Sequence, residues 1–279
     1  MKKVTLGIAM LTMMLAACNA DKKNAGDLFQ RAEMSFAVGN FNLAKLQIDS
    51  IRTLYPKAIE VRKAAIGLMQ QIDLQEQQKT LAYLDSMMQV KQVALDAVKD
   101  KFTFEKDTAY QEIGNYFYPT QVVEKNAGRS FLRAQVNERG EMLLTSIYCG
   151  AANIHHTAVK VSAGGDTFAQ TPVSTDSYET TDLGRVIEKA DYRLPNDGGV
   201  AAFIASNSEK KSLVLEFLGE KNFKTQMPAS DIKAVTEVAN LARVLAGMEK
   251  IRKEQQEANL KIKFVMRKMK ETEAESENK

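Results

Sequence analysis

The chain has 279 residues, of which 44% are hydrophobic and 26% charged, so it can form one large domain or two small ones. Its 38 basic and 35 acidic residues nearly balance, which argues against nucleic-acid binding through a basic surface. Only two cysteines occur, so a disulfide framework is excluded and stability must come from an apolar core.

The first residues have the pattern of an export signal. Two lysines precede an apolar run over residues 4–15, and Leu15-Ala16-Ala17-Cys18 closes that run with small side chains. A positive start, a short apolar core and a small-residue ending are typical of a secretory signal peptide. We therefore assign residues 1–17 to a signal peptide and the polar residues 18–26 to a tether.

The ending Leu15-Ala16-Ala17-Cys18 resembles the lipobox of bacterial lipoproteins. The resemblance implies that the Cys18 sulfur carries diacylglycerol and that cleavage occurs just before it. Two or more acyl chains hold a protein stably on a bilayer, so acylated Cys18 is the expected membrane attachment. Asn19 lies directly after the predicted lipidation site, at the position where an aspartate would favour retention in the inner membrane. By resemblance to enteric lipoprotein sorting, this implies the outer membrane of a Gram-negative cell envelope.

Residues 28–56 predict a helical hairpin. Apolar residues recur at four-residue spacing over 28–36, Gly39 suits a left-handed helix end, and a second apolar stripe stops at Pro56. The second half resembles a tetratricopeptide repeat, with Ala32 at its small first-helix position, whereas Arg31 departs from the pattern and no second copy follows. The matching positions are Gly39, Phe41, Ala44, Ile48, Ile51 and Pro56. This resemblance implies contact with another protein.

Two long amphipathic helices are predicted, one over about 58–102 and one over 229–270. Ser230 is suited to cap the second, and both carry apolar seams of coiled-coil period. We expect them to pair in antiparallel direction as a stalk. The alternative is that each covers the intervening domain separately. The stalk then comprises residues 27–102 and 229–270, and residues 271–279 form a disordered tail.

The middle segment, residues 103–228, has the alternation and turn residues of short strands. Clear examples are the pair Leu132–Val136 and Met142–Cys149, and Val200–Ala205 is expected to form a hairpin with Ser212–Leu218. We predict an antiparallel sandwich or small barrel of roughly seven strands. The fold class is therefore α+β, with a helical hairpin and two long helices flanking a β-sandwich-like domain.

His155 and His156 are the two histidines of the chain. On a regular strand they would point to opposite faces, His155 toward the core and His156 toward water, so they should not chelate one metal ion. Cys149 is the available thiol nucleophile and His155 its candidate base. Both share strand parity with apolar neighbours, so we expect an inert, buried pair rather than a catalytic one. The pattern indicates no cofactor and no metal.

Six aromatic residues lie between 102 and 118, where they either line a groove or fill the junction between helix and sheet. Together these patterns predict a non-enzymatic, lipid-anchored envelope protein that acts as a scaffold or adaptor for another envelope protein. The alternative is a glycan-binding, peptide-binding or hydrolytic β domain on a helical stalk. Its candidate ligand surface is formed by Tyr116, Tyr118, Tyr148 and His156.

Overall fold

The computed structural model describes the backbone of residues 2–182 and 184–277, with side chains from 20 to 274 except 123 and 183. The chain divides into two compact units, one of residues 1–86 with 253–279 and one of residues 87–252. Both unit boundaries therefore fall inside long helices, whereas the sequence predicted boundaries after 102 and 228. The expected mixture of helices with antiparallel sheets is confirmed.

The first unit is helical, and the described part of the chain has five α-helices in all. They are α1 Lys2–Ala37, α2 Phe41–Leu54, α3 Ile59–Asp96, α4 Val200–Ser206 and α5 Ala229–Glu277. The first unit contains α1, α2, most of α3 and the end of α5. Helix α5 continues to Glu277, beyond the helix end predicted at residue 270.

The predicted helical hairpin is present as α1 and α2. Gly39 adopts φ +76° at the end of α1, and the Asn40 side chain accepts the backbone N–H of Leu43 at the start of α2. Ala25 is buried in the same apolar cluster, so residues 20–26 belong to α1 and are not the tether that was predicted. The cluster also contains Ala32, Phe41, Ala44, Ile48, Ile51, Ala58, Ala65, Leu68 and Ile72.

Polar contacts supplement this helical core. The Lys45 ammonium of α2 lies 2.8 Å from Asp73 and 2.7 Å from Glu76, both on α3. Also in the first unit, the Gln255 side chain of α5 donates to the Asp85 carboxylate of α3 at 2.7 Å. Helix α3 therefore makes polar contacts with both α2 and α5 in this unit.

The second unit contains two antiparallel sheets. The strands are β1 Thr103–Glu105, β2 Asn115–Phe117, β3 Phe131–Asn137, β4 Met142–Gly150, β5 Ala158–Ser162, β6 Phe168–Gln170, β7 Ser177–Asp182, β8 Arg185–Arg193, β9 Ser212–Leu218 and β10 Phe223–Pro228. The six-stranded sheet has the order β1-β2-β3-β4-β8-β7, and the four-stranded sheet has the order β10-β9-β5-β6. Both β3 and β4 lie where the sequence placed them.

Residues from both sheets and from α4 and α5 form one apolar core. On β4 the buried positions are Met142, Leu144, Ser146 and Tyr148, so the even-numbered residues face inward. Leu213, Leu215 and Phe217 of β9 contribute from the other sheet, and Ile232 to Leu245 contribute from α5. The first turns of α5 are anchored by Asp231, which is buried and accepts two hydrogen bonds from the Arg129 guanidinium at 2.8 and 2.9 Å.

The segment predicted as a strand over Val200–Ala205 is instead the helix α4. The Asp197 carboxylate accepts the N–H groups of Gly199 and Ala201, which satisfies backbone donors at the start of the helix. Val200, Ala201 and Ile204 are buried, which is the i, i+1, i+4 pattern of a helix face. The predicted strand Ser212–Leu218 pairs with β5 and β10 instead.

Candidate functional site

A buried carboxylate organises the loop between β4 and β5. Glu188 lies in the middle of β8 and is 1% exposed. Its two oxygens accept the backbone N–H groups of Ile154, His155 and His156 at 2.7, 3.0 and 2.9 Å. Three consecutive donors on one carboxylate fix the path of this loop against the sheet.

The same carboxylate begins a buried side-chain array. Glu188 Oε2 lies 3.0 Å from His156 Nδ1, and His156 Nε2 lies 2.8 Å from Ser146 Oγ. Ser146 Oγ is also 3.3 Å from the hydroxyl of Tyr192, which donates to the carbonyl of Thr157 at 3.2 Å. The array therefore connects β4, β8 and the 150–157 loop through hydrogen bonds.

The environment determines the charge on each member. Burial alone would raise the pKa of Glu188, but the hydrogen bonds from the loop N–H groups and the His156 ring outweigh it and hold the pKa below its ordinary value. Burial lowers the pKa of His156, against the opposing effect of Glu188. The ring is therefore neutral near pH 7, with its proton on Nδ1 facing the acceptor-only carboxylate, and Ser146 donates to Nε2.

Serine, histidine and carboxylate in this order also form the proton-transfer array of serine hydrolases. Here the serine is 0% exposed, and its hydroxyl is enclosed by His156, Tyr192 and the carbonyl of Ala190. A nucleophile must reach a substrate carbonyl, which this hydroxyl does not do in the observed conformation. The geometry gives the array a structural role in joining the loop to the sheet.

A second, exposed pair lies beside this array. His155 Nδ1 is 2.6 Å from Glu179 Oε1 on β7, and the two side chains are 47% and 40% exposed. The hydrogen bond that the His155 ring donates to the Glu179 carboxylate raises the pKa of His155, whereas the pKa of its buried neighbour His156 is lowered. Asn153 donates to the other oxygen of Glu179 at 2.6 Å. His155, Glu179 and Glu188 thus place one nitrogen and two carboxylate ligands within 4.8 Å of one another.

The predicted orientations of the two histidines are wrong. His156 is buried and His155 is exposed, because His155 adopts a left-handed backbone conformation with φ +52° and the loop is not a strand. The predicted inward orientation of Cys149 is also wrong. It is only half-buried, since the inward face of β4 carries the even-numbered residues. The His155 ring hydrogen-bonds to Glu179. Neither His155 nor Cys149 therefore faces the core, although the sequence predicted this orientation for both.

The four residues of the predicted ligand surface differ in burial. Tyr148 and His156 are buried with their ring centroids 6.4 Å apart, which makes them core residues. Tyr116 and Tyr118 are half-buried and pack against the core, as does Phe102. Within the same aromatic run Phe117 is buried, whereas Phe104 and Tyr110 are exposed. Four of the six aromatic residues are therefore buried or half-buried, so most of the run packs against the core. The side chain of Cys18, the predicted lipidation site, lies outside the described residues.

Ser146 and Glu188 were not identified from the sequence. The available signal was parity: Glu188 alternates with Ala190 and Tyr192, both of which are buried apolar residues of β8. A charged residue in such a series is expected to have partners, because an unpaired buried charge is costly. What the parity does not reveal is that those partners come from three consecutive backbone N–H groups.

The helical unit presents a separate feature, an apolar cleft of about 230 Å³ between α2 and α3. Its lining residues are Ile48, Asp49, Ile51, Arg52, Arg62, Ala65, Ile66, Met69 and Gln70. Ile66 is 55% exposed at this cleft, and its charged lining residues are Arg62 and the pair Arg52 and Asp49, which lie 3.4 Å apart.

The chain matches no protein-family model, no curated protein and no solved structure. Among the described residues, no helix has both the length and the apolar character that crossing a bilayer requires.

Proposed function

We propose that this protein is a lipid-anchored component of a bacterial cell envelope, which binds another envelope protein through its helical unit. The lipobox pattern Leu15-Ala16-Ala17-Cys18 supports the anchor, and Asn19 favours the outer membrane. The binding role is that of a non-enzymatic scaffold or adaptor.

The apolar cleft between α2 and α3 is the observation that carries the binding role. Ile48, Ile51 and Met69 provide an apolar floor, and Ile66 remains largely exposed at its edge. Apolar grooves between helices accept the apolar face of a partner helix, whose anchors recur every three or four residues. We infer that an amphipathic helix of the partner occupies the cleft.

A second apolar surface supports the same role. Leu43, Leu46 and Leu54 are exposed on α2, on the side opposite its buried residues. A helix with apolar residues on both sides generally packs on both sides. This surface provides further contact area for a partner.

The finer architecture belongs to the proposal as well. In the second unit, Gly247 of α5 lies close to Lys91 of α3. A Cβ atom built on Gly247 would be 3.2 Å from Lys91 Cε. In the first unit, Gln255 contacts Asp85. These contacts occur in opposite order along the two helices, which supports antiparallel pairing as a stalk. The core shared by Leu144 and Leu215 supports a sandwich-like packing of the two sheets.

The anchor is tested by Cys18→Ser, because acylation requires the thiol. Cells expressing the wild-type chain in the presence of a labelled fatty acid should yield labelled protein in the detergent phase. The Cys18→Ser chain should be unlabelled. Equal labelling of the two chains would refute the anchor.

The binding role is tested by Ile66→Arg, which places a charge in the cleft at an exposed position and so leaves folding intact. Capture from crosslinked envelopes, quantified by mass spectrometry, should show one partner whose recovery falls about ten-fold, equivalent to about 1.4 kcal/mol. The control is Val93→Arg, an equally polar change at an exposed residue of the second unit. Equal recovery with both variants would argue against the cleft.

A further inference from the structure

Three side chains from separate segments converge at the lateral edge of the six-stranded sheet that β7 forms. His155 comes from the loop after β4, Glu179 from the edge strand β7 and Glu188 from the adjacent strand β8. One ligand atom from each lies within 4.8 Å of the others. The buried Ser146–His156–Glu188 array shares only Glu188 with this cluster, so His155 and Glu179 have no part in it.

The charges at this cluster favour a cation. One carboxylate oxygen of Glu179 and one of Glu188 lie within 4.8 Å of a His155 ring nitrogen and of each other. Two negative groups therefore lie beside one imidazole. The loop N–H groups compensate Glu188, whereas Glu179 is held by His155 and by the neutral amide of Asn153. A divalent ion would reduce the remaining repulsion between the carboxylates.

Two of the ligands are held in place by their surroundings. Glu188 is oriented by the backbone N–H groups of residues 154–156, and Glu179 is oriented by Asn153. In metal sites the ligating carboxylates are themselves usually hydrogen-bonded, which fixes their orientation. The left-handed conformation of His155 directs its ring toward Glu179 and away from the core.

We propose that His155, Glu179 and Glu188 bind a divalent transition-metal ion of the Zn²⁺ class, with Glu188 exchanging one of its four hydrogen bonds for the bond to the metal. One imidazole with two carboxylates is a ligand set that Zn²⁺ accepts, leaving a further position for water. Bonds of about 2.1 Å in tetrahedral geometry require ligand atoms about 3.4 Å apart. The exposed side chains of His155 and Glu179 can reach that spacing by rotation.

The ion would join the loop after β4 to β7. All six residues of β7 are exposed, so this edge strand lacks a buried apolar face of its own. Metal binding to the folded chain alone would therefore stabilise the edge of the sheet.

The test uses the full-length processed chain in detergent, without a histidine tag, and Zn²⁺ as the probe. Binding is measured by calorimetry, and the absorption of bound Co²⁺ reports nitrogen and oxygen ligands. The variants are His155→Asn, since asparagine tolerates the left-handed conformation, and Glu179→Gln. Glu209→Gln, an exposed carboxylate elsewhere in the second unit, is the control.

Saturable binding of one Zn²⁺ by the wild-type and control chains, weakened about ten-fold or more in both variants, would support the site. Because His156 is buried, an imidazole-dependent signal identifies His155. Absence of saturable binding, or wild-type affinity in either variant, would overturn the proposal. Melting curves without metal establish that both variants are folded.

Discussion

The carboxylate of Glu188 accepts hydrogen bonds from three backbone N–H groups and from the His156 ring, so all four of its contacts require an acceptor. Replacing it by glutamine removes the charge and turns an NH₂ group toward two of those donors. A buried residue with this many partners is among the positions where a single change is most costly.

Glu188→Gln should therefore lower the free energy of unfolding by about 3 kcal/mol. The measurement is urea denaturation followed by circular dichroism. Glu179→Gln is the matched control, since that carboxylate is exposed on β7, and without metal it should shift stability by less than about 0.5 kcal/mol. Equal losses from the two substitutions would contradict a structural role for the buried array.

The two histidines should titrate in separate ranges. Glu179 raises the pKa of His155 above 6.5, whereas burial lowers the pKa of His156 below 6.5. An NMR titration of the ring protons should therefore show His155 protonating first as the pH falls. His155→Asn removes one resonance and so assigns both. If the remaining resonance titrated above 6.5, the assignment of the buried neutral ring would be wrong.

The same shifts determine how stability depends on pH. Unfolded His156 binds a proton more readily than folded His156, so in the His155→Asn chain stability should fall as the pH drops through about 6.5. The lowered pKa of Glu188 acts in the same direction at more acidic pH. The His155–Glu179 contact acts oppositely. Its contribution is complete below pH 6.5 and is lost as the pH rises through the raised pKa of His155.

At the level of elements, α5 contributes differently to the two units. Its residues from Ile232 to Leu245 belong to the core of the second unit, and Leu241 is 1% exposed. Farther along, Leu260 in the first unit is 65% exposed. One helix therefore contains both a core leucine and a surface leucine.

Leu241→Ala should lower the free energy of unfolding by about 2–5 kcal/mol, because it removes buried methyl groups and leaves a cavity. Leu260→Ala is the matched substitution in the same helix and should change stability by less than about 0.5 kcal/mol. Thermal and urea unfolding of both variants measure the difference. Similar small effects would mean that α5 is not part of the core of the second unit.

The elements predicted from the sequence are those whose apolar residues recur with a clear helical or strand period. The hairpin of α1 and α2, both long helices and the pair β3 and β4 follow from apolar spacing and turn residues. Helix α4 was missed because a short apolar run fits either a strand or a helix. The Asp197 carboxylate accepts the N–H group of Ala201 and so favours the helix, but this contact is known only from the structure. Strand β7 was missed because all of its residues are exposed and give no alternation.

The candidate site was less predictable than the fold, for a definable reason. Strand parity assumes regular backbone, and one left-handed residue at His155 reversed the expected faces of both histidines. The positive φ of a residue other than glycine depends on the surrounding contacts, here the N–H groups on Glu188. Sequence spacing alone does not contain that information.

For the whole molecule, each unit has its own apolar cluster. The proposed anchor lies at the N-terminal end of the chain, and the cleft of the first unit is built from α2 and α3. In the two proposals, partner binding belongs to the helical unit and the candidate metal site to the β-rich unit.

The most direct test of the adaptor role is a photo-reactive amino acid at position 66 of the full-length, lipidated chain. On illumination of intact envelopes, binding through the cleft should give one adduct of defined mass with another envelope protein. The adduct should be absent when the same amino acid replaces Val93, and lost when Met69→Arg is added to the position 66 chain. No adduct at position 66, or an equal adduct from position 93, would contradict binding through the cleft.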